Sequence, residues 1–378
     1  MPHSFLHSSD LHLGKAFGGY PEGVRNRLRE ARHGAIARLA AAARSGGTAG
    51  GTDLILLAGD TFDAETPAPE TLRHALRAMA AEPDMTWILL PGNHDSLAAT
   101  ELWRRIAADA PPNLVAVTDP APFEARPDLW LLPAPCTQRR PGRDLTEAMQ
   151  APTPDGALRL GLGHGAVTDF SGEEGTTGII PPDRARLSGL DYLALGDWHG
   201  CLQIGPATWY SGTPEADSFK HPDGASALMV TLAAPGAAAK VTRAPTGAFD
   251  WLRPDLDLLP GDDAALRLTQ TLPPASGRRD QLLRLVARGR LPLADLAALR
   301  AGLDTAGPDF GWFEADLSAL AAETRPQDLD QIDQGGALRQ AAEALLSEAE
   351  NPALPAEARA LAATALSRLY VLALEVQP

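Results

Sequence analysis

Five short apolar segments of this chain each lead into a residue that can bind a metal ion or move a proton. The clearest is Ile88-Leu89-Leu90, which stops at Pro91-Gly92 and continues as Asn93-His94-Asp95. Apolar runs bounded by proline or glycine are typical of buried strands. Because ligands bind at the carboxyl ends of strands in open α/β sheets, we expect these ends to meet in one site. The other four ends carry Asp10 with His12, Asp60, His164, and Asp197 with His199.

The order of the predicted elements indicates the fold class. Strands at 4–8, 53–58 and 86–90 alternate with helices at 22–44, 69–81 and 97–108. This β-α-β-α-β-α order favours an α/β protein with a layered, largely parallel sheet. Further strands are expected at 114–117, 129–132, 158–163, 191–195, 201–204, 207–210, 226–232 and 239–243.

A smaller unit follows the boundary Ala244-Pro245-Thr246-Gly247. Residues 281–290 and 312–317 have strand patterns around a helix at 293–303, which is typical of a small α+β block. Two closing helices are expected at 337–349 and 356–374. The last helix carries an apolar stripe, which indicates either packing on the chain itself or a face that docks a partner; it consists of Leu361, Leu366, Leu369 and Leu372. We therefore divide the chain into 1–245, 250–325 and 336–378.

The composition of the 378 residues, with 44% hydrophobic and 21% charged residues, is ordinary for a globular protein. Cys136 and Cys201 form neither a disulfide framework nor a spaced metal site. The first residues lack a signal-peptide pattern, and no apolar run approaches the roughly 18 residues of a spanning helix. We therefore expect a cytoplasmic protein that does not bind membranes.

The formal net charge of -15 argues against the class of proteins that bind nucleic acid through an overall basic surface. If DNA is the substrate, a local patch, bound metals or a basic partner must supply the attraction. Arg139, Arg140 and Arg143 form either such a patch or an ordinary exposed loop. The chain lacks a phosphate-cradling G-x-x-x-x-G-K-[ST] loop, so we do not expect it to hydrolyse ATP by itself.

Taken together, the polar ends indicate a metal centre. Carboxylates, an amide and imidazoles that converge at strand ends suit two divalent cations roughly 3.5–4 Å apart. Each block alone is weak evidence, since Gly-Asp is a common turn and a lone histidine after a strand is usually structural.

The same blocks resemble the calcineurin-like metallophosphoesterases. These blocks are Asp10-x-His12, Gly59-Asp60, Gly92-Asn93-His94-Asp95, Gly163-His164 and Gly196-Asp197-Trp198-His199. His7–Lys15 and Ala58–Asp63 further resemble the SbcD-type DNA-repair exonuclease subunit, in its YhaO-like branch. The resemblance covers the predicted nuclease domain, 1–245, and extends more weakly to 250–320. It implies a four-layer α/β/β/α sandwich with a small capping domain and C-terminal helices.

The resemblance also implies a role for each polar end. The first metal would be bound by Asp10, His12, Asp60 and His199. Asp60 would bridge to a second metal that Asn93, His164 and Asp197 complete. His94 would face the scissile phosphate and protonate the leaving oxygen, and Asp95 would orient His94. The cofactors would be two divalent ions, Mn²⁺ first, with Mg²⁺ or Fe²⁺ as alternatives.

Asp197 departs from the pattern, because close relatives commonly carry Gly-His-x-His where this chain has Gly196-Asp197-Trp198-His199. A carboxylate still ligates Mn²⁺ or Mg²⁺ through a hard oxygen. The other outcome is that Asp197 points away and the second metal is weak or lost.

The function that the resemblance implies is metal-dependent DNA exonuclease or endonuclease activity in DNA repair, with an SbcC-like ATPase as partner. A water activated by both metals would hydrolyse the phosphodiester bond. A homodimer is left open. Two alternatives remain: a small-molecule phosphodiesterase or phosphatase, and a regulatory subunit with an impaired second metal site. The capping block argues against the first alternative, and Asp197 is the feature that favours the second.

Overall fold

The computed structural model describes residues 2–46, 50–168, 179–221, 223–259, 261–323, 329–330, 332–333 and 336–376. The chain divides into two compact units, Met1–Asp250 and Trp251–Pro378. The segments predicted as a capping block and as closing helices therefore lie in the same unit. The Gly/Thr-rich stretch 47–52, whose composition predicts a loop, lies partly outside the described residues, at 47–49.

The first unit contains twelve of the described strands. Its elements are β1 (His3–Ser8), α1 (Glu22–Ser45), β2 (Leu54–Leu57), α2 (Pro69–Ala80), β3 (Thr86–Leu89), α3 (Thr100–Asp109), β4 (Leu114–Ala116), β5 (Phe123–Arg126), β6 (Leu129–Ala134), β7 (Leu158–His164), α4 (Arg184–Leu187), β8 (Tyr192–Gly196), β9 (Leu202–Gly205), β10 (Thr208–Tyr210), β11 (Ser226–Leu232) and β12 (Lys240–Pro245). A 3₁₀ helix spans Leu145–Gln150. Strand β5 and this 3₁₀ helix were not predicted from the sequence.

These strands form two six-stranded sheets. The first has the order β12-β11-β1-β2-β3-β4, and the second has the order β5-β6-β7-β8-β10-β9. Strands β1 to β4 are parallel, as are β6, β7, β8 and β10. Antiparallel strands complete each sheet at its edges. The strands that precede the polar ends therefore belong to the parallel parts, which places those ends at carboxyl edges.

Apolar side chains explain how the sheets are covered. One face of the first sheet packs against α1, α2 and α3 around Trp87, Ile36 and Leu76. A second cluster, which includes Phe5 and Leu162, joins the two sheets. The other face of the second sheet packs against Met149 of the 3₁₀ helix and Ala185 of α4. This mixed α/β arrangement is consistent with a metallophosphoesterase fold, and the specific four-layer sandwich stays a prediction.

Helix α1 shows why the sequence folds as it does locally. Leu28, Ala35, Ile36 and Leu39 recur at helical spacing, and all four are buried. Gly46 ends the helix with φ 54°, and its N–H donates to the carbonyl of Ala42. Glycine is favoured there because its left-handed backbone has no side-chain penalty.

The second unit has its own sheet and helices. Its elements are β13 (Asp250–Leu252), β14 (Asp255–Leu258), α5 (Ala264–Thr271), β15 (Gln281–Pro292), α6 (Leu293–Ala306), β16 (Trp312–Glu323), α7 (Ala337–Glu350) and α8 (Ala356–Val376). Strand β15 pairs with β13, β14 and β16. Strands β13 and β14 and helix α5 were not predicted. Each element is short, so its apolar residues are too few to show a clear period.

The closing helices pack on α6 through Leu293, Ala342, Leu366 and Tyr370. The predicted apolar stripe on α8 divides between a buried and an exposed part. Leu366 is buried, whereas Leu361 and Leu372 are 71% and 52% exposed. In the part of the chain that the structure describes, no helix is both long and apolar enough to cross a membrane.

Candidate metal centre

The loops after β1 and β2 lie side by side and hold the first group of polar residues. The N–H of Asp10 donates to Gly59 O at 3.1 Å, and the N–H of His12 donates to Asp60 O at 2.9 Å. These bonds continue the pairing of β1 and β2 beyond the ends of the strands. The positions of Asp10, His12 and Asp60 are therefore fixed by backbone contacts and not by side chains alone.

Several of the polar ends have a left-handed backbone. Asp10, His12, Asp60 and Asp197 have φ values of 55°, 42°, 53° and 106°. Non-glycine residues rarely adopt positive φ, and such strain concentrates at functional sites. The tight bends turn these side chains back toward a shared centre.

Two glycines allow the strand ends to approach. A Cβ on Gly92 would lie 2.1 Å from Asp60 Oδ1, and a Cβ on Gly59 would lie 2.3 Å from His164 Nδ1. Any side chain there would push Asp60 or His164 out of place. The Gly-Asp and Pro-Gly-Asn-His patterns in the sequence thus have a steric reason.

Asp10, His12 and His199 form the first candidate cation site. The Nε2 atoms of His12 and His199 face each other at 3.2 Å, and Asp10 Oδ1 lies 3.9 Å from each. Two donors at about 2.1 Å from one ion and at about 100° to each other lie about 3.2 Å apart. The spacing of the two imidazoles therefore fits ligands of one cation.

Asp60 lies between the first site and a second group of ligands. Its Oδ2 is 3.6 Å from His12 Nε2 and 3.5 Å from His164 Nε2. Its Oδ1 accepts the backbone N–H of His94 at 2.8 Å. One carboxylate oxygen thus approaches an imidazole of each group, as a bridging ligand must.

Asn93, His164 and Asp197 form the second group. Asn93 Nδ2 donates to Asp197 Oδ1 at 2.8 Å, and that oxygen lies 3.7 Å from His164 Nε2. Asn93 Oδ1 and His164 Nε2 are buried and have no hydrogen-bond partner among the described residues. Buried polar atoms nearly always have a hydrogen-bond partner, so these two atoms, whose side chains both approach Asp197 Oδ1, are available to bind a cation.

The outward nitrogens of the histidines are also held. His199 Nδ1 donates to Asp217 Oδ1 at 3.3 Å, whereas His12 Nδ1 lies 3.1 Å from Asp63 Oδ1 in a charge contact without hydrogen-bond geometry. His164 Nδ1 donates to Ala58 O at 2.8 Å. Metal-binding histidines usually donate their second N–H in this way, which fixes the ring and leaves Nε2 for the metal.

The electrostatics of the cluster favour cations. Burial alone would raise the pKa of Asp10, but the neighbouring imidazoles of His199, His164 and His12 lower it. Burial alone would lower the pKa of His164, yet Asp60, Asp10 and Asp197 raise it to about 9. Burial raises the pKa of Asp197, and the carboxylates of Asp10 and Asp60 add to that effect. The clustered carboxylates are therefore stabilised by nearby positive charge, which protons or metal ions can supply.

The Asp95 carboxylate and the His94 ring have different hydrogen-bond partners. Its buried carboxylate accepts the N–H groups of Phe62 and Gly92 at 3.0 and 2.7 Å. The His94 ring is instead held by Asp63, whose carbonyl accepts from Nδ1 at 2.9 Å. The Asp95 carboxylate thus ties two loops together, and any orientation of His94 by Asp95 runs through the backbone that joins them. His94 itself lies beside His12 and Asp60, with the rings of His94 and His12 4.8 Å apart.

A charged support that was not predicted from the sequence lies beneath the first site. Arg32 of α1 is buried and donates to the carbonyls of Leu11 and Glu215 at 2.5 and 2.9 Å. Its guanidinium also lies 3.8 Å from Asp217. One signal was present, since Arg32 stands four residues after Leu28 and four before Ile36, inside the buried stripe of α1. No sequence signal pointed to Asp217.

The centre lies in a cavity of about 540 Å³. Its lining includes all the predicted ligands except Asp10 and His164, together with His94. Trp198, Lys15 and His221 also line it. The cavity is large enough for a phosphorylated ligand and brings it directly onto the polar cluster.

Comparison with known proteins supports the chemistry of this centre. Residues 3–136, about a third of the 378-residue chain, match the model of the calcineurin-like phosphoesterase family. The match supports the metallophosphoesterase superfamily, whose members use divalent metals to hydrolyse phosphoesters. It includes Asp10, Asp60 and Asn93 but ends before His164, so the later candidate ligands are placed by the structure.

A search of curated proteins finds no match. Among solved structures 53 chains match. One of them is 11% identical, with 65% of this chain and 100% of the other covered and a TM-score of 0.35. A likeness this low carries no argument about the function of this chain.

Proposed function

We propose that this chain is a metal-dependent DNA nuclease that hydrolyses phosphodiester bonds in DNA repair. The observation that carries the proposal is the convergence of Asp60, Asn93 and His164 with the first group of ligands, including two buried and unpaired metal-binding atoms. Cleavage would be exonucleolytic or endonucleolytic, in the cytoplasm and together with an SbcC-like ATPase.

Each side chain has a task in this proposal. Asp10, His12 and His199 would hold one ion, Asn93, His164 and Asp197 would hold the other, and Asp60 would be a ligand of both. When bound, the two ions supply an activated water and stabilise the charge on the phosphoryl oxygens. His94, fixed through Nδ1 by Asp63 O, presents its Nε2 to the leaving oxygen and donates a proton there.

The donor set favours Mn²⁺ over Zn²⁺. Three carboxylates and one amide oxygen share the site with three imidazoles, and oxygen-rich mixed sites suit Mn²⁺ and Mg²⁺. Maximal activity with Zn²⁺ would argue against this assignment.

One alternative is a regulatory subunit with an impaired second metal site. It requires Asp197 to point away from that site. The hydrogen bond from Asn93 Nδ2 instead holds the carboxylate of Asp197 beside His164. The contact favours ligation by Asp197 and an active enzyme.

The other alternative is a small-molecule phosphodiesterase of the same superfamily. The second unit favours a macromolecular substrate and a partner, because a minimal phosphodiesterase needs neither its sheet nor its helical hairpin. Leu361 and Leu372 are exposed on α8, where an ATPase partner would find an apolar surface.

Arg284, Arg288 and Arg290 stand on alternate positions of β15, a pattern that by itself indicates a basic face for a DNA backbone. Arg284 is paired with Glu314 at 2.9 Å, and Arg288 is paired with Asp255 at 2.8 Å. These carboxylates neutralise much of the positive face that the alternating arginines indicated.

The test is degradation of end-labelled linear duplex DNA by the full chain in Mn²⁺, with and without the candidate ATPase. Asp60→Asn should abolish cleavage, since it weakens the ligand shared by both ions. Asp84→Asn is the matched control, because Asp84 pairs with the exposed Arg44. No cleavage of DNA with the partner present, beside intact turnover of bis(p-nitrophenyl) phosphate, would favour the small-molecule enzyme instead.

A further inference from the structure

A second cavity adjoins the metal centre. It measures about 410 Å³ and shares Asn93, Asp197, Arg139 and Arg140 with the first cavity. The two arginines therefore stand where the cavities meet, together with two of the candidate metal ligands. A ligand that extends from one cavity into the other must pass them.

Arg139 and Arg140 are placed to bind an anion. They follow β6 in an exposed loop, where Gln138 Nε2 donates to Arg140 O at 2.9 Å. Neither guanidinium has a hydrogen bond or ion pair among the residues that the structure describes. Arg104 and Arg105 of α3, by contrast, are exposed and both bind Glu101. In a chain with a net charge of -15, two arginines without a carboxylate partner beside the active centre are a local attraction for phosphates.

The side chains that line the two cavities differ in chemistry on either side of Arg139 and Arg140. Trp198 lines the first, with its ring packed edge-to-face on His221 at 4.8 Å. Cys136, Leu145 and Ile180 line the second. Both surfaces suit nucleosides, because bases stack on aromatic rings and bury well against apolar side chains. The polar atoms at the junction suit the phosphates between the nucleosides.

Resting on the proposed nuclease function, we propose that Arg139 and Arg140 bind the phosphates that flank the scissile one. The substrate is then a nucleic-acid strand that passes from one cavity to the other. An isolated phosphodiester has no flanking phosphate, so it loses the contacts that the arginines make with a longer strand. The two residues determine specificity for a strand with several phosphates and take no part in the chemical step.

The test compares two substrates of the full chain loaded with Mn²⁺. One is a labelled single-stranded oligonucleotide, and the other is bis(p-nitrophenyl) phosphate, which has a single phosphate. For the double variant Arg139→Ala/Arg140→Ala we expect KM for the oligonucleotide to rise about tenfold near 0.15 M salt, and the slope of log KM against log salt to fall by about 1.4. KM for bis(p-nitrophenyl) phosphate should rise much less than KM for the oligonucleotide, because this substrate has no flanking phosphate for the arginines to bind.

Two further variants separate charge from shape. Arg139→Lys/Arg140→Lys should restore most of the salt dependence, since lysine also binds phosphate as a point charge. Arg104→Ala/Arg105→Ala, which removes an equal charge from α3, should behave as wild type.

Several outcomes would overturn the inference. An unchanged KM and salt slope in the double alanine variant would mean that the arginines do not touch the strand. Equal losses on both substrates would mean that they act on the metal centre. If the wild type cuts bis(p-nitrophenyl) phosphate but no oligonucleotide, even with the ATPase present, the proposed nuclease function itself fails.

Discussion

Replacement of Asp217 by asparagine should weaken one of the two metal sites. Asp217 is buried and lies 3.2 Å from His199 Nδ1, 2.5 Å from Lys15 Nζ and 3.8 Å from Arg32. Burial alone would raise its pKa, but the hydrogen bond to His199 and the charges of Arg32 and Lys15 hold the pKa well below its usual value. The carboxylate is therefore ionised and polarises the imidazole that would bind the first metal.

Loss of such a partner typically lowers metal affinity 10- to 100-fold, or about 1.4–2.7 kcal/mol. We expect the upper part of that range, because Asp217→Asn leaves Lys15 and Arg32 as uncompensated cations near His199. Asparagine keeps one side-chain oxygen that can accept the His199 N–H. The substitution therefore removes the negative charge at position 217 and retains the hydrogen bond.

Isothermal titration with Mn²⁺ measures the effect. The wild type should bind two ions per chain, and Asp217→Asn should lose affinity at only one of them. Asp84→Asn, an exposed carboxylate remote from the cavity, should leave both affinities unchanged. Equal affinities in Asp217→Asn and wild type, or an equal loss at both sites, would refute the assignment of Asp217 to His199.

Three further predictions follow from the same contacts. Arg32→Met should lower the free energy of unfolding by about 3–5 kcal/mol in urea, because it leaves the buried carbonyls of Leu11 and Glu215 without their donor and removes one of the cations beside Asp217, whereas Arg29→Met on the exposed face of α1 should change little. His94→Ala should keep two Mn²⁺ ions per chain but lose about 10²- to 10⁴-fold in turnover, and loss of an ion would identify His94 as a ligand. The pKa of His164 is about 9 without metal, so Mn²⁺ binding at pH 7 must displace its proton and should tighten as pH rises toward 9. Titrations in buffers of different ionisation enthalpy measure that proton, and heats independent of the buffer would contradict the prediction.

The ends of the strands were the most predictable part of the site. Glycine and proline stop the apolar runs at Gly59, Gly92 and Gly196, and the residues after them face one edge because the strands are parallel. The pattern is local in sequence, so it needed no knowledge of the sheet order. The structure brings these ends together from both sheets.

The supports of the site were less predictable, because they depend on contacts between distant parts of the chain. Asp217 reaches His199 from a loop without a strand pattern, and Arg32 reaches the same loop from α1. By charge alone, the cluster of Arg25, Arg27, Arg29 and Arg32 in α1 favours a solvated helix face. Its last member is instead buried, which the apolar neighbours at i−4 and i+4 indicate.

Charge partners across strands were also beyond the sequence. Arg284 and Glu314 are 30 residues apart and become neighbours because β15 and β16 pair in register. The alternation of arginines along β15 therefore predicted a basic face. The sequence pattern does not show which acidic residues the neighbouring strands place beside those arginines.

Anomalous diffraction from a crystal soaked in Mn²⁺ tests the central claim, a two-cation centre, most directly. We predict two peaks roughly 3.5–4 Å apart, one between His12 and His199 and one beside Asn93 and His164, with Asp60 in contact with both. A single peak, or a second peak that Asn93 and His164 do not touch, would contradict the two-cation centre.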